Sequence, residues 1–555
     1  MEHSALHAWE LLGQVIALGG AFFVLGLLRP AGRALGGDPR NHPLEEAMLA
    51  TATWWVVIGA LGAALATALS ILVDVAETQG ATVFGGLPAG LILKFAFQTQ
   101  VGRLSLARIG FLLLTAGIAR LNTRRKWGWV LAAAFAGVVF TSLVSHAAAQ
   151  PEARDIMLVA QVLHIAGAAL WVGVLIHLLA ARRAIESPAG AAGIQLLAEI
   201  VRRFSPVALG ITSLLGISGI WMTCRFLAEP AAVPTSAYGL TLMVKLAVLT
   251  PAIYAGWINF RRIRPALLEL SARPVGAAAP GGETAVEQNR LLRHFGKMLE
   301  LEVTSGVLVI TVAGILASVS PPGGEGAFRL TEPQVRALLR PHLPVVNIEN
   351  VATFYGSAQR TIDDLRYAEF THNWSGVMVC LLGLGWLAQH SRGRIGRLAA
   401  HGWPLLLLPF ALFVSIFSDP EVWWYRNVTL LQVVRDPQLL EHQLGAVMIL
   451  ILAWLGWRRP PRPENPGAGY ALPMMLMAGG ILLLGHAHST LNADESLLNM
   501  INVQHAIFGT FIIVGGTVSW LVTRGLFPRR IGGVIWPCCV ICLGLYMAFC
   551  YREVV

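Results

Sequence analysis

Histidine is the residue type in this chain with the clearest capacity for chemistry, because an imidazole can ligate a metal ion or a haem iron. His146 ends one apolar run, and His164 lies inside the next. His164 follows Arg154 by ten residues, which places it about 15 Å along a helix. A buried imidazole is costly without a partner, so His164 is either bonded to a neighbouring helix or part of a functional site.

Five other histidines fall at the ends of apolar runs: His372, His442, His486, His488 and His505. Imidazole is a suitable ligand for copper, zinc, iron and nickel. Runs joined by short loops are expected to be neighbours, so the ends that carry these histidines are expected to converge. His486 and His488 point about 200° apart on a regular helix, and both can reach one ion only if the helix ends there.

Residues near these histidines could assist them. Met157 precedes His164 by two turns and offers a thioether on the same helix face, although a lipid-facing side chain is the simpler interpretation. Four acidic residues lie close to the other histidines in sequence: Glu369, Glu441, Asp494 and Glu495. They could accept hydrogen bonds from ligating imidazoles, or they could be solvated loop charges.

Membrane-spanning helices are the elements expected to position these residues. The chain has 555 residues, of which 55% are hydrophobic and 13% charged, whereas soluble domains carry roughly 25% charged residues. Apolar runs of about 18 or more residues recur along the chain, and each is long enough to cross a bilayer. The sequence therefore predicts an all-α, polytopic integral membrane protein with about fourteen transmembrane helices in two bundles.

Loop charges give these helices an orientation. Basic residues follow every odd-numbered predicted span, which assigns those loops to the cytoplasm and both termini to the periplasm. The net charge of +10 comes from such loops, so we expect a lipid bilayer and no nucleic acid as partner. No phosphate-binding GxxxxGK[ST] loop is present, so we expect no nucleotide partner and no ATP-driven pump in this chain alone.

The longest predicted outward segment divides the chain. It covers residues 321–371, opens with a Pro- and Gly-rich linker, and is expected to form a small periplasmic cap. It separates an eight-helix domain, residues 1–320, from a six-helix domain, residues 372–555. We name the membrane face that carries the cap the predicted outer face.

Four segments in order resemble the CopD copper-resistance family of inner-membrane proteins: SHAAA, LHIAGAALWVGVLIHLL, RRFSPVALGITSLLGISGIW and SAYGLTLMVKLAVLTPAIYAGWINFRR. The resemblance covers roughly the eight-helix domain, and the six-helix domain is similar to the extension of longer members. It implies a copper-resistance or copper-import protein of the bacterial inner membrane rather than an enzyme, often with a small periplasmic copper-binding partner. It carries over best onto His146 and His164.

Two functions with a bound group follow from these residues. In the first, the outer histidines collect a copper ion, and His146 and His164 pass it inward. In the second, the chain is an electron-transfer protein in which His442 or His372 pairs with His486 or His505 as axial ligands of haem b. A third hypothesis is a structural subunit in which the histidines only pack.

Overall fold

The computed structural model describes residues 2–36, 42–79, 86–123, 125–148, 153–186, 190–272, 283–322, 329–346, 362–391, 393–423, 428–458, 469–486 and 495–554. Every regular element within these ranges is helical, as predicted. Two helix starts show how the sequence defines the elements. The Thr99 and Ser236 hydroxyls accept hydrogen bonds from the amides of Gly102 and Gly239, at 2.9 and 3.0 Å. Such caps satisfy amides that a helix leaves without a partner at its start.

The first part of the chain forms thirteen of the described α-helices. Their bounds are α1 Glu2–Phe22, α2 Arg29–Ala34, α3 His42–Thr78, α4 Ala89–Gln98, α5 Gln100–Ala119, α6 Lys126–Leu143, α7 Arg154–Ala168, α8 Val174–Glu186, α9 Gly190–Leu227, α10 Ala232–Thr235, α11 Ala237–Ile258, α12 Arg264–Ala272 and α13 Glu283–Ser318. Short π-helical turns join three pairs of these helices: Phe23–Leu28, Ala169–Gly173 and Asn259–Ile263.

The second part of the chain forms nine further described α-helices. Their bounds are α14 Glu332–Leu339, α15 Ile362–Ala388, α16 Arg394–Phe417, α17 Pro420–Trp423, α18 Leu430–Arg435, α19 Pro437–Arg458, α20 Ala471–Gly485, α21 Glu495–Thr523 and α22 Arg529–Phe549.

Twelve helices among the described residues are long and apolar enough to cross a membrane. They confirm the prediction of a polytopic membrane protein, surrounded by lipid. Two further predicted spans, 373–390 and 470–488, correspond to α15, which has 27 residues, and to α20, which has 15. The count of fourteen spans stays a prediction.

Both parts of the chain contribute to one large apolar cluster. Its members on α1, α3, α8, α9, α11 and α13 pack with residues of α20 and α21, among them Met477, Ile513 and Trp520. A second cluster lies within the C-terminal part and contains Trp386, Phe508 and Tyr551. The packing of α20 and α21 therefore ties the C-terminal helices to the N-terminal ones.

Residues 329–346, at the predicted outer face, contact both parts of the chain. Leu330 donates its amide to the Thr235 carbonyl at 2.9 Å, just before α11. The His342 amide donates to the carbonyl of Phe549, at the end of α22, at 2.7 Å. The described part of the predicted cap is thus folded, with α14 at its centre.

Glycines allow α1 to approach its neighbours at backbone distance. A Cβ on Gly173 would lie 2.2 Å from the Val15 carbonyl oxygen, and one on Gly13 would lie 2.4 Å from the Gly59 carbonyl oxygen. Small residues are the usual means by which membrane helices pack closely. The tight crossings of α1 therefore depend on the absence of side chains at these positions.

We expect Gly173→Ala to destabilise the protein by about 1–3 kcal/mol, because the added methyl must displace the backbone of α1. Gly216→Ala is the matched control, since a Cβ at Gly216 meets no atom within 4 Å. The measurement is the unfolding temperature of each variant in detergent. Equal unfolding temperatures for the two variants would contradict the close crossing.

Candidate metal centre

Four of the predicted histidines form a row at the predicted outer face. His372 lies on α15, His442 on α19, His486 at the end of α20 and His505 on α21. The ring centroids of His442 and His486 are 5.3 Å apart, those of His486 and His505 4.9 Å, and those of His505 and His372 5.4 Å. We call these four residues the outer histidine row.

Each ring of the outer histidine row has an oxygen next to Nδ1. His372 and His505 direct Nδ1 to the carbonyls four residues earlier on their own helices, at 2.8 and 2.9 Å. The Nδ1 of His442 lies 2.7 Å from Asp419 Oδ1, and the Nδ1 of His486 contacts a Glu441 carboxylate oxygen. Because these oxygens accept a hydrogen bond, the proton of each neutral ring belongs on Nδ1, and Nε2 carries the lone pair. This is the tautomer that metal-binding imidazoles adopt.

Asp419 is the carboxylate that the sequence interpretation missed. It follows α16, and its side chain is 1% exposed. One oxygen faces His442, and the other accepts from Gln443 Nε2 at 2.7 Å. Its place in the SDPEVW segment between two helices gave the only sequence signal. An aspartate held by two groups of α19 fixes the orientation of the His442 ring.

The acidic residues that were predicted to assist neighbouring histidines bond to other groups. Glu441 bonds to His486 on another helix rather than to its sequence neighbour His442. Glu369 accepts hydrogen bonds from the amides of Glu553 and Val554, at 2.7 and 2.8 Å. Two of the proposed groups, Asp494 and the side chain of Glu495, lie outside the described part of the chain, as does His488.

Residues 550–554 pack against one end of the outer histidine row. The fully buried Tyr551 ring stacks on His372 with centroids 4.0 Å apart. Its hydroxyl donates to Glu553 Oε1 at 2.6 Å. The Arg552 amide donates to the side-chain oxygen of Gln504, next to His505, at 3.0 Å. This segment closes the end of the row that His372 occupies, and sequence reasoning gave it no role.

His146 and His164 lie apart from the outer histidine row in the described structure. His146, in the turn after α6, hydrogen-bonds the Ala317 backbone carbonyl, and burial lowers its pKa, so the ring stays neutral. The Nδ1 of His164 lies 3.0 Å from the Ser218 hydroxyl on α9. Met157 is fully buried and packs in an apolar cluster with Ala147 and Met222, rather than facing lipid.

The outer histidine row has donor groups that suit a metal ion, but its rings are not spaced to surround one. No group of three or more His, Cys, Asp or Glu side chains is arranged to hold a metal within the described ranges. The four rings are set in the ligating tautomer but stand side by side. Binding an ion between them therefore requires rotation of at least some of the rings.

A haem fits this place less well. A porphyrin between two imidazoles needs an open slot, whereas the rings of His372 and His505 contact each other edge to face with centroids 5.4 Å apart. Phe508 packs against both rings, with centroids 6.1 and 5.2 Å away. Tyr551 stacks on His372 and also contacts Phe508, with centroids 4.0 and 5.6 Å apart. His442, whose side chain is 23% exposed, lies at the other end of the row from this aromatic packing.

One family comparison gives a positive result. The family model of CopD, described as copper resistance protein D, matches residues 198–316. This segment is CopD-like. The match confirms the resemblance to the CopD copper-resistance family, and it indicates a role in copper resistance or handling. No curated protein and no solved structure matches the chain.

The CopD-like segment runs from α9 to the end of α13. It includes Ser218, the partner of His164, but it includes none of the outer histidine row. The row therefore requires its own experimental test.

We expect Asp419→Asn to weaken copper binding roughly 10–100-fold, because the charge that orients and polarises His442 is lost. Glu332→Gln is the matched control, since Glu332 is an exposed carboxylate on α14 that pairs only with the nearby Arg336 among the described contacts. The measurement is competition with a chelator of known affinity on purified protein. An Asp419→Asn protein that binds like the control would contradict a supporting role for Asp419.

Proposed function

We propose that this protein handles copper at the bacterial inner membrane, in resistance or import, by binding and transferring the ion without covalent chemistry. The Nδ1 bonds of the outer histidine row carry this proposal. Four imidazoles from four helices each have an oxygen beside Nδ1, which favours the tautomer with its lone pair on Nε2. The CopD match independently supports copper as that ligand.

The outer histidine row, together with His488, collects the ion in this proposal, and His146 and His164 pass it inward. His164 is ten residues along α7 from Arg154, which corresponds to about 15 Å of helix. Transport requires sites that load and release, so two- or three-ligand sites with fast exchange are appropriate. Rings that rotate to meet the ion provide such sites.

The proposed arrangement places both termini in the periplasm, where a small copper-binding protein delivers or accepts the ion. Residues 1–320 form the eight-helix domain, residues 321–371 the periplasmic linker and cap, and residues 372–555 the six-helix domain. Basic loops after odd-numbered spans support this topology. The contacts of residues 329–346 with Thr235, Asn373 and Phe549 support a cap next to the outer histidine row.

We expect His442→Ala and His505→Ala each to lower the copper affinity of the purified protein at least tenfold, because each removes a nitrogen ligand. His401→Ala is the control, since His401 is exposed and bonds only to the Arg397 carbonyl among the described contacts. Copper is measured by mass spectrometry after dialysis, and cellular copper is compared with and without the chain. Unchanged binding in both variants would remove the outer histidine row from the function.

A separate measurement distinguishes copper from haem. We expect the purified protein to show no Soret band and no α-band that responds to dithionite, because His372 and His505 contact each other directly and Phe508 packs against both, which leaves no slot for a porphyrin. The measurement is an absorption spectrum before and after reduction, with haem supplied during expression. A stoichiometric Soret band that His442→Ala or His505→Ala abolishes would establish the haem function instead.

A further inference from the structure

A second group of imidazoles lies at the predicted outer face, in the N-terminal part of the chain. His3 and His7 are four residues apart on α1, and their rings stack with centroids 6.0 Å apart. His3 Nε2 lies 3.0 Å from Glu77 Oε1 and 3.6 Å from Asp74 Oδ1, both on α3. The first two turns of α1 therefore bring two imidazoles to a pair of carboxylates.

His146 adds a third imidazole with an unusual feature. Its ring hydrogen-bonds the Ala317 carbonyl, and its Nε2 is buried without any hydrogen-bond partner. The bond to Ala317 must then come from Nδ1–H, which leaves the Nε2 lone pair unsatisfied. Ala317 lies three residues after Gly314, where α13 packs against the backbone of Ala8, the neighbour of His7, so His146 lies near the first turns of α1. A buried lone pair beside a second imidazole is the arrangement that a metal ion would satisfy.

The α1 helix continues this polar face into the membrane. His3, His7, Glu10 and Gln14 fall within an arc of about 60° at 3.6 residues per turn. The 1%-exposed Glu10 carboxylate pairs with Arg108 on α5 at 2.8 Å. The same oxygen accepts from Gln14 Nε2 at 2.9 Å and from the Thr141 hydroxyl at 3.1 Å.

This network of Glu10, Arg108, Gln14 and Thr141 lies on the membrane side of the imidazoles and forms the floor of the group. The guanidinium of Arg108 is permanently charged, so it opposes the passage of a cation along this face of α1. The imidazoles above it can therefore hold a cation, but the cation cannot pass further inward along this face of α1.

We propose that His3, His7 and His146, with Asp74 and Glu77 as supporting carboxylates, form a second site that binds a Cu(II) ion. This inference rests on the proposed copper function and adds a site to it. The donors are nitrogen and oxygen with no thioether or thiolate, which favours the divalent over the monovalent ion. The described side chains are not arranged around one point, so closing the site requires His3 to turn a ring nitrogen towards the ion while Asp74 and Glu77 stay beside it.

The test counts copper ions on the purified full-length protein. The proteins compared are wild type, His3→Gln/His7→Gln, His442→Ala/His505→Ala and the combination of all four changes. His42→Gln/His294→Gln is the matched control, because both residues are exposed and belong to predicted cytoplasmic regions. Glutamine keeps polarity at positions 3 and 7, and unfolding temperature and size-exclusion profile check that each variant folds.

Equilibrium dialysis against Cu(II) gives the stoichiometry, and electron paramagnetic resonance reports nitrogen coupling at each site. We expect two ions on wild type and on the control, one on each double variant and none on the quadruple variant. One bound ion on His146→Asn, as on His3→Gln/His7→Gln, would support His146 as the third ligand.

The outcomes separate this site from the proposed function. If the His3→Gln/His7→Gln protein binds as many ions as wild type with the same spectrum, the second site is wrong while the outer histidine row stands. If the ion is lost only in this variant, the second site stands and the outer histidine row is wrong. If wild type binds no copper at all, both proposals fail.

Discussion

The hydrogen bond at each imidazole Nδ1 is the constraint on which the outer histidine row depends. Within a bilayer, water is not available to satisfy polar groups, so the protein must supply a partner for each. His372 and His505 find a carbonyl on their own helices, whereas His442 and His486 need carboxylates from elsewhere. The position of Asp419 and the pairing of Glu441 with another helix follow from that need. The arrangement of α15, α16, α19, α20 and α21 at this face is thus linked to the protonation of four rings.

Much of the helical framework could be predicted from the sequence, because the length of an apolar run is a local property. The start of α15 could not. Hydropathy placed that span at 373–390, but the helix begins at Ile362. Its first turns carry Asp363 and Asp364, which are favourable near a helix N-terminus but carry no apolar signal. The convergence of the histidine-bearing helix ends could be predicted from the sequence, since loop charges assign those ends to one membrane face.

The hydrogen-bond partners of the histidines were harder to predict from the sequence, because they depend on which way each side chain points. Glu441 is adjacent to His442 in sequence, but consecutive residues project about 100° apart on a helix. Glu369 lies on the same helix face as His372, yet the amides of Glu553 and Val554 occupy it. Tyr551 is brought to His372 by chain folding that no local pattern indicates. The polar face of α1 had a sequence signal, the spacing of His3, His7 and Glu10 by four and three residues, which our sequence predictions did not use.

The cap has a mechanical consequence. Residues 329–346 hold the Thr235 carbonyl on one side and the Phe549 carbonyl on the other, while Val345 bonds the Asn373 side chain. At the opposite end of the helices, Glu300 on α13 contacts both Arg182 on α8 and Arg524 after α21. Hydrogen bonds and ion pairs therefore connect the two parts of the chain at both ends of the helices. A large rocking motion between them would break several of these bonds at once. The proposed transfer of an ion would therefore proceed through small rotations of side chains within a nearly fixed helical frame.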